Sequence, residues 1–527
     1  MPFVHENTWG SFASRNAEEE LHAKFENAVD TLLEEIRCKR TKFFNRVGEE
    51  RREAISYFDS FSPIDIDLVM GRFPLGTCED VEEAVKAAAR AFNDWRRTDL
   101  KERIRILRKA ADIIRKEKFK IAALLTLANG KVRREAIGEV DMGVDYIEYY
   151  THEMERNNGY NRQMPSPSAN EDASNVFLPY GPWAVICPFN FPFGISMTMI
   201  VGTLLTGNTA IIKPSSINPV VCHALYDVLI RAGVPEGVLN LITGPGNTVG
   251  ETLIKHEQIQ GVVFTGSKDV GYAILKHISD REYPIPVILE LGGKNAAIIS
   301  DKADLQKAVR GVVSSAFGYS GQKCVACSRA YIHSTIFDSF VEMLIRETES
   351  FKVDDPRLRH ARTGPLINEE ALRKFEHAVS QAVKDGKILT GGHRRVEGSL
   401  SKGWYVEPTV VAGLNDSHDL VKTELFLPFL CVQEYRSLED AVRRANAVPY
   451  GLTAGIYSED KKEVDYFLDN IQSGMVFVNG IRGATNGAII GTHSFGGWKG
   501  SGSTGRGSGD IYYLMQFMRQ QGRAIGR

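Results

Sequence analysis

Apolar positions in the first 160 residues recur at helical spacing. From Ala17 to Thr41, Leu21, Phe25, Val29, Leu32 and Ile36 fall on one face, which predicts a charged surface helix closing onto a core. The first sixty residues as a whole read as helical and charged. The same spacing predicts helices from Val81 to Phe92, from Glu102 to Leu127 and around Arg134 to Glu155, all rich in good helix formers. Between Arg156 and Ser174 the sequence turns to Asn, Gly, Pro and Ser, which predicts a loop or an excursion from the core. Short apolar runs then alternate with amphipathic segments: Trp183 to Cys187, Thr209 to Ile212, Leu239 to Ile242, Gly261 to Phe264 and Ala296 to Ile299. That alternation predicts parallel strands with helical crossovers. A second such series runs from Ala330 to Val432, with a helix at Ile336 to Phe351. The tail, Leu514 to Ile525, has strand character beyond the Gly/Ser-rich segment Gly496 to Gly509, and is placed to pair with a second subunit's sheet edge.

Composition narrows the class. At 527 residues the chain exceeds one compact core, so two or more domains are expected, and 43% hydrophobic with 25% charged residues describes a soluble globular protein. The 64 Lys+Arg against 66 Asp+Glu lack the basic excess of nucleic-acid binders, so no nucleic-acid partner is expected. Seven scattered cysteines, an odd number, fit a reducing cytoplasm better than a disulfide scaffold. The acidic first twenty residues are no secretory signal. Ala173 to Ile212 carries no charge, but Pro179, Pro182, Pro188, Pro192, Asn190 and four glycines interrupt it, so it reads as buried strand, loop and helix and not as a membrane span.

Four segments carry candidate chemistry. Gly318-Tyr-Ser-Gly-Gln-Lys-Cys324 is a small-residue loop that leaves a cysteine accessible, as a nucleophilic thiolate requires. The alternatives are a Cys324/Cys327 redox or metal pair, or simply buried cysteines; no metal site is expected from one CxxC. Glu290, in Leu289-Glu-Leu-Gly-Gly-Lys294, sits among apolar residues at a strand end, where burial raises a carboxyl towards general-base range; a salt-bridged surface Glu is the other reading. Asn190, in Pro188-Phe-Asn-Phe-Pro192, is a buried amide, either an oxyanion donor or a loop staple. Lys213 follows a strand directly, and Val263 to Ser267 ends another with a Gly-Ser turn into a helix, the place where nucleotide phosphates sit, although the GxGxxG fingerprint is absent.

Together these segments resemble the aldehyde dehydrogenase superfamily from about Ser62 to the C-terminus. Pro188 to Pro192 is similar to its oxyanion segment, Ile212-Lys-Pro-Ser215 to its adenosine-ribose segment, Phe264-Thr-Gly-Ser267 to its phosphate turn, Glu290-Leu-Gly-Gly293 to its general-base segment and Gly321-Gln-Lys-Cys324 to its nucleophile loop. Glu424-Leu-Phe426 with Pro428 resembles the nicotinamide-ribose clamp; Pro449 to Leu452 and Phe495-Gly-Gly497 match later landmarks. The resemblance implies an α/β fold with a Rossmann-like NAD(P)-binding domain (1–158 and 178–288), an α/β catalytic domain (289–492) and a β oligomerisation arm (159–177 and 505–527). It implies oxidation of a small-molecule aldehyde to a carboxylic acid through a cysteine thioester, in a homodimer or larger homo-oligomer. Cys324, Glu290 and Asn190 would be catalytic, and Ile186, Lys213, Ser215, Ser216, Gly246, Phe264, Gly266, Ser267, Glu424 and Phe426 would hold NAD or NADP. Phe191, Val325, Gly487, Ala488 and Phe495 would meet the substrate.

Within the superfamily, Gly318 to Arg329, Asp145-Tyr-Ile-Glu-Tyr-Tyr150 and Asn486-Gly-Ala-Ile-Ile-Gly491 are similar to the group that oxidises L-glutamate 5-semialdehyde, the open form of 1-pyrroline-5-carboxylate. In that group the N–H groups at Gly487 and Ala488 hold the substrate's carboxylate. This chain departs at several places: Val325 replaces a serine, Met142 replaces a glutamate, Leu427 replaces a glycine, the loop from Gly480 to Thr485 is about three residues longer, and His493-Ser494 replaces Gln-Pro. Asp141 is adjacent to Met142, but one helical residue turns by about 100°. A less polar aldehyde is therefore the alternative substrate, and His493 is expected to be a loop residue. Ser216 stands where NAD-preferring members carry a glutamate, so NADP is expected to be tolerated. A non-catalytic structural member of the fold is the alternative from another class, and a CoA-acylating enzyme a further one.

Overall fold

Beyond residue 180 the apolar runs become two parallel sheets. In the computed structural model, which describes residues 3–166 and 168–527, the first sheet has the order Val287–Glu290, Gly261–Thr265, Pro182–Ile186, Thr209–Lys213, Leu239–Leu241, Asn45–Val47, Glu50–Arg52. Strands from Val287–Glu290 through Leu239–Leu241 are parallel. The chain enters at Pro182–Ile186, adds two strands on one side, then crosses back to add two on the other, so the topological switch lies beside Ile186. Side chains alternate between the layers that cover the sheet: Val185 and Ile212 join one core, Ala184, Ile186 and Ile211 the other. The first core is covered by the helices Leu100–Asn129, Arg133–Arg156, Gly194–Leu205 and Pro219–Ala232, the second by Cys78–Trp95 and Lys268–Ser279.

The second sheet runs Lys387–Thr390, Thr409–Ala412, Phe429–Tyr435, Cys327–His333, Asn295–Ile299, Thr453–Tyr457, Met475–Val478, parallel except for its first pair. A third, antiparallel sheet of Arg162–Met164, Glu171–Pro179 and Met518–Gly526 forms an arm. Met1, Pro2 and Pro167, which fall within the spans expected for the cofactor domain and the arm, lie outside the described residues.

The expected helices form with small changes at their ends: Glu18–Lys39 buries Leu21, Phe25 and Val29, and the longer ones span Cys78–Trp95, Leu100–Asn129 and Arg133–Arg156. One expectation is corrected. The first sixty residues are not helical throughout; they include the hairpin Asn45–Val47/Glu50–Arg52 and the strand Tyr57–Phe61. Long-range bonds select that hairpin: Asn45 Oδ1 accepts from Thr243 N at 2.9 Å and Asn240 Oδ1 from Gly48 N at 2.8 Å, where Gly48 turns at φ +57°. The C-terminal strand pairs with its own chain, from Met518 opposite Pro179 to Gly526 opposite Glu171. Among the described residues no helix is long and apolar enough to cross a membrane, and the charge-free stretch divides into strands, a loop and the helix Gly194–Leu205.

One buried amide fastens the arm to the sheet. Asn208 Oδ1 accepts from Tyr180 N (2.7 Å) and Gly181 N (3.0 Å), while Nδ2 donates to Thr206 Oγ1 (2.9 Å) and to the carbonyl of Phe517 (2.8 Å). Asn208→Ala leaves buried backbone groups unpaired and is expected to destabilise the protein by about 3 kcal/mol. The thermal midpoint reads this as a fall of several degrees; an unchanged midpoint contradicts it.

Candidate active site

A cysteine that follows three left-handed residues lies between the carboxyl ends of the first sheet's strands and the amino ends of the second sheet's strands, where Asn295 Nδ2 donates to its carbonyl at 2.7 Å. After the helix Leu305–Phe317, Tyr319, Ser320 and Gly321 adopt φ of +50°, +51° and +66°. Gly321 is required, because a Cβ there would lie 2.1 Å from the carbonyl oxygen of Leu427. The turn is bolted to the 363–367 segment: Ser320 N donates to Thr363 Oγ1 (2.7 Å), Ser320 Oγ to Gly364 O (2.6 Å), and Gln322 Oε1 accepts from Ile367 N (2.8 Å). The loop is thus buried, and Cys324 at its end is half-buried where the sequence suggested an accessible thiol. Burial pushes its thiol well up, the charges of Glu424 and Glu290 add to that, and the N–H groups of Cys324 and Val325 oppose it. Cys327 turns into the core, its sulfur towards the carbonyl of Arg329 at 3.5 Å.

The other candidate groups converge on this thiol. Asn190, buried on the loop after Pro182–Ile186, donates from Nδ2 to Gln322 O at 3.2 Å, two residues before the cysteine. Glu290 ends the strand Val287–Glu290; its Oε2 is buried without a hydrogen-bond partner and burial raises its carboxyl far above the usual range. Gly293 brings that segment against the Cys324 loop, since a Cβ there would meet Cys324 O at 2.5 Å. Glu424 closes the same corner: its Oε1 accepts from Gly293 N at 2.9 Å, and burial pushes it up to about 7 against the pull of that N–H and of Lys374 and Lys294. Gly292 leaves the space its carboxylate occupies. Phe426 takes φ +61° and its ring stands 5.7 Å from Phe189, so left-handed backbone falls at Phe426 and a leucine is tolerated at 427.

At the switch point lie the groups expected to hold a cofactor. Lys213, 6% exposed, donates to Pro214 O at 3.0 Å, and burial pulls its amine down to about 8. Gly250 lets the lysine stem pass beside the turn that begins at the exposed Gly246. Ser215 Oγ accepts from Ile217 N and the exposed Ser216 donates to Gly244 O at 3.0 Å, which places it beside that same turn. Phe264 is buried under Gly266, and Ser267 caps the helix Lys268–Ser279 through Val270 N. An amine with one carbonyl partner, a capped twelve-residue helix start and a carboxylate at Glu424 suit the ribose and phosphate groups of a dinucleotide.

The surroundings of Cys324 are otherwise apolar: Val325, Leu452 and Met475 are buried together, with Cys324, Phe477, Ala488 and Phe495 packed against them. The two expected anchor amides differ. Gly487 N donates at 2.9 Å to Asn486 Oδ1, so it is already engaged, while Ala488 N–H has no hydrogen bond to any described residue. His493 accepts from Ile489 N at 3.0 Å and holds the loop. Asp141 points away, accepting from Thr8 N and Oγ1.

Several residues escaped the sequence reading. Tyr146, one turn after Met142 on the same helix, is buried beside Glu290 and Cys324, and burial with those charges pushes its phenol up to about 12. Lys131 and Glu139 form a pair at 2.5 Å with both side chains fully buried; locally they look like ordinary solvated helix charges. The available signal was positional: an Asn129-Gly-Lys131 turn closing a long helix, followed by glutamates four apart on a helix with one buried face.

Comparison with known proteins gives the family. Residues 51–522 match the model of the aldehyde dehydrogenase family. The chain is 34% identical over 475 residues to 1-pyrroline-5-carboxylate dehydrogenase of Geobacillus sp. (strain WCH70), covering 89% of this chain and 90% of that one. It is 32% identical over 519 residues to the Bacillus licheniformis protein of that name, covering 98% and 97%. The crystal structure of 1-pyrroline-5-carboxylate dehydrogenase from Thermus with bound NAD superimposes with a TM-score of 0.92 at 30% identity, covering 100% of this chain and 99% of that one. With its thiol, amide and carboxylates converging as described and the match spanning nearly its whole length, this chain belongs to the aldehyde dehydrogenase family.

Proposed function

We propose that the protein oxidises an aldehyde to a carboxylic acid with NAD or NADP, and that the aldehyde is L-glutamate 5-semialdehyde, formed from 1-pyrroline-5-carboxylate. The observation that carries the reaction is the convergence of Asn190, Cys324 and an unpartnered Glu290 carboxylate on one cleft. The Cys324 thiolate attacks the carbonyl carbon, forming a C–S bond while the carbonyl oxygen takes the negative charge. Asn190 Nδ2 and the N–H of Cys324 donate to that oxygen, exchanging the carbonyl of Gln322 for a charged acceptor. NAD(P)+, when bound, supplies the two-electron oxidation that turns the thiohemiacetal into a thioester. Glu290 then takes a proton from water, whose oxygen attacks the thioester; the C–S bond breaks and the carboxylic acid leaves. Lys213, Ser215, Ser216, Ser267, Glu424 and Phe426, with the backbone at Gly246 and Gly266, would hold the cofactor beside Ile186 and Phe264.

The substrate assignment is supported by the 32–34% identity to proteins of that activity and by the free N–H of Ala488 in the segment that would hold a carboxylate. One observation favours a second reading, a less polar aldehyde: the wall around Cys324 is apolar through Val325, Leu452, Met475 and Phe477. Ser216 carries no charge to repel a 2′-phosphate, which supports use of NADP as well as NAD. The arm's outer strand, Met518–Gly526, is exposed along most of its length and supports assembly into dimer-based homo-oligomers.

Initial rates of NAD+ and NADP+ reduction with 1-pyrroline-5-carboxylate, succinate semialdehyde, benzaldehyde and a short aliphatic aldehyde test these assignments. The expected result is preference for 1-pyrroline-5-carboxylate with both cofactors and no turnover by Cys324→Ala. Preference for an uncharged aldehyde contradicts the substrate assignment, and strict NAD use contradicts the reading of Ser216. The thiol environment makes a separate prediction for the cofactor-free protein. Peptide-resolved alkylation of Cys324 by iodoacetamide is expected to follow an apparent pKa above the free-cysteine value of about 8.5. Glu424 is ionised across that alkaline range, so Glu424→Gln is expected to lower the apparent pKa by about one unit. A value below that of free cysteine, or no response to Glu424→Gln, contradicts this.

A further inference from the structure

We propose that Lys131 is a positioning residue for the thiol chemistry, tying the Asn190 loop to the Cys324 loop through a buried ammonium that neither reacts nor meets substrate. The inference rests on the roles assigned above to Cys324 and Asn190. Lys131 follows Gly130, a left-handed residue at φ +72° that ends the helix Leu100–Asn129. Its side chain is fully buried, with Nζ 3.5 Å from the ring centroid of Phe191 and 4.6 Å from that of Tyr319. Phe191 is the neighbour of Asn190, and Tyr319 opens the left-handed turn that leads to Cys324. One ammonium therefore lies against a ring from each loop, an attraction that grows as water is excluded.

The rest of the network extends both ties. Glu139 Oε2 balances the ammonium at 2.5 Å, and its Oε1 accepts from Phe193 N (2.9 Å) and Gly194 N (3.1 Å). Those amides begin the helix Gly194–Leu205, which has no cap from its own N-cap side chain, so Glu139 fixes the far end of the Asn190 loop. On the other flank Asn129 Nδ2 donates to Phe189 O (2.6 Å) and to the Tyr319 hydroxyl (3.1 Å), again one bond to each loop. One turn before Glu139, Glu135 stands 3.9 Å from the ammonium of Lys323, the residue next to Cys324. The order of charges is lysine, glutamate, lysine, glutamate and then the positive end of a helix.

Stability alone does not explain this arrangement, because apolar residues of similar volume replace a buried ion pair at little or no cost. Only a cation can engage two ring faces and a carboxylate that itself holds a helix start. The charge pair thus converts the separate positions of Phe191 and Tyr319 into one distance, and with it the distance from the Asn190 amide to the Cys324 sulfur.

The test uses p-nitrophenyl acetate, which needs neither cofactor nor the physiological aldehyde. Cys324 Sγ attacks the acetyl carbon, the C–S bond forms, and the C–O electron pair leaves with p-nitrophenolate, whose absorbance reports acylation; the thiol proton passes to solvent. The double variant Lys131→Met/Glu139→Gln removes both charges and keeps an amide oxygen for Phe193 N and Gly194 N. It is expected to melt close to the unaltered protein yet acylate at least ~10-fold more slowly, the consequence of a misplaced donor. In an Asn190→Ala background the same two changes are expected to slow acylation less than ~3-fold, since the loop no longer carries the donor. Phe191→Leu, which leaves the charge pair intact, is expected to repeat this non-additivity should the double variant fail to fold. Unchanged acylation, or equal losses in both backgrounds, overturns the proposal. An unaltered protein that leaves the ester intact overturns instead the reading of Cys324 as nucleophile.

Discussion

The site depends on keeping Tyr319, Ser320 and Gly321 in left-handed backbone, a conformation that costs non-glycine residues roughly 1–2 kcal/mol each. Within the turn, Gln322 donates from its N (3.0 Å) and Nε2 (3.3 Å) to the carbonyl of Tyr319, and the rest of that cost is met by the hydrogen bonds of Ser320 and Gln322 to the 363–367 segment and by the close approach of Gly321 to Leu427. The turn therefore exists only when the second sheet's loops are assembled around it. It then delivers Cys324 to the carboxyl ends of the strands Val287–Glu290 and Pro182–Ile186, where Glu290 and Asn190 wait. Strain in the Cys324 loop is thus linked through packing to the register of both sheets.

Electrostatics follow from the same burial. Glu290 and Glu424 are held well above the usual carboxylate range and Lys213 below the usual amine range, in each case chiefly because burial disfavours the charge. For Glu424 the folded chain holds its proton more tightly than the unfolded chain. Its contribution to stability is therefore full below about 4.5 and is lost as pH rises through about 7. For Lys213 the folded chain holds its proton less tightly, so its contribution is full above about 10.5 and is lost as pH falls through about 8. Near neutrality both groups lower stability, and both lie where a dinucleotide and a reacting aldehyde are proposed to sit. Groups kept short of solvent in this way gain most from a ligand that supplies the missing partner.

Much of this was legible in the sequence, for identifiable reasons. Parallel strands read as short apolar runs because both faces are covered, and Asn190, Glu290 and Cys324 stood out because each is a polar group in a charge-free or small-residue segment. What was not legible depends on distant partners. The Asn45–Val47 hairpin is chosen by Asn240 and Thr243, and the tail's strand by Glu171–Pro179. Lys131 and Glu139 have the local texture of a solvated helix, and only the packing of three helices and two loops around them makes them a buried pair. The Gly487 amide was expected to be open to a ligand; its neighbour Asn486 takes it, an event of side-chain geometry that spacing does not encode.

In the proposed mechanism Cys324 carries the acyl group and Glu290 releases it. Single-turnover mixing of a Glu290→Gln variant with NAD+ and the best aldehyde substrate, followed by peptide mass spectrometry, tests this most directly. The expected result is a burst of NADH approaching one per chain, then a stall, with the acyl mass on the peptide containing Cys324. Sustained turnover at the rate of the unaltered protein with no adduct, or an adduct located on Cys327, would contradict it.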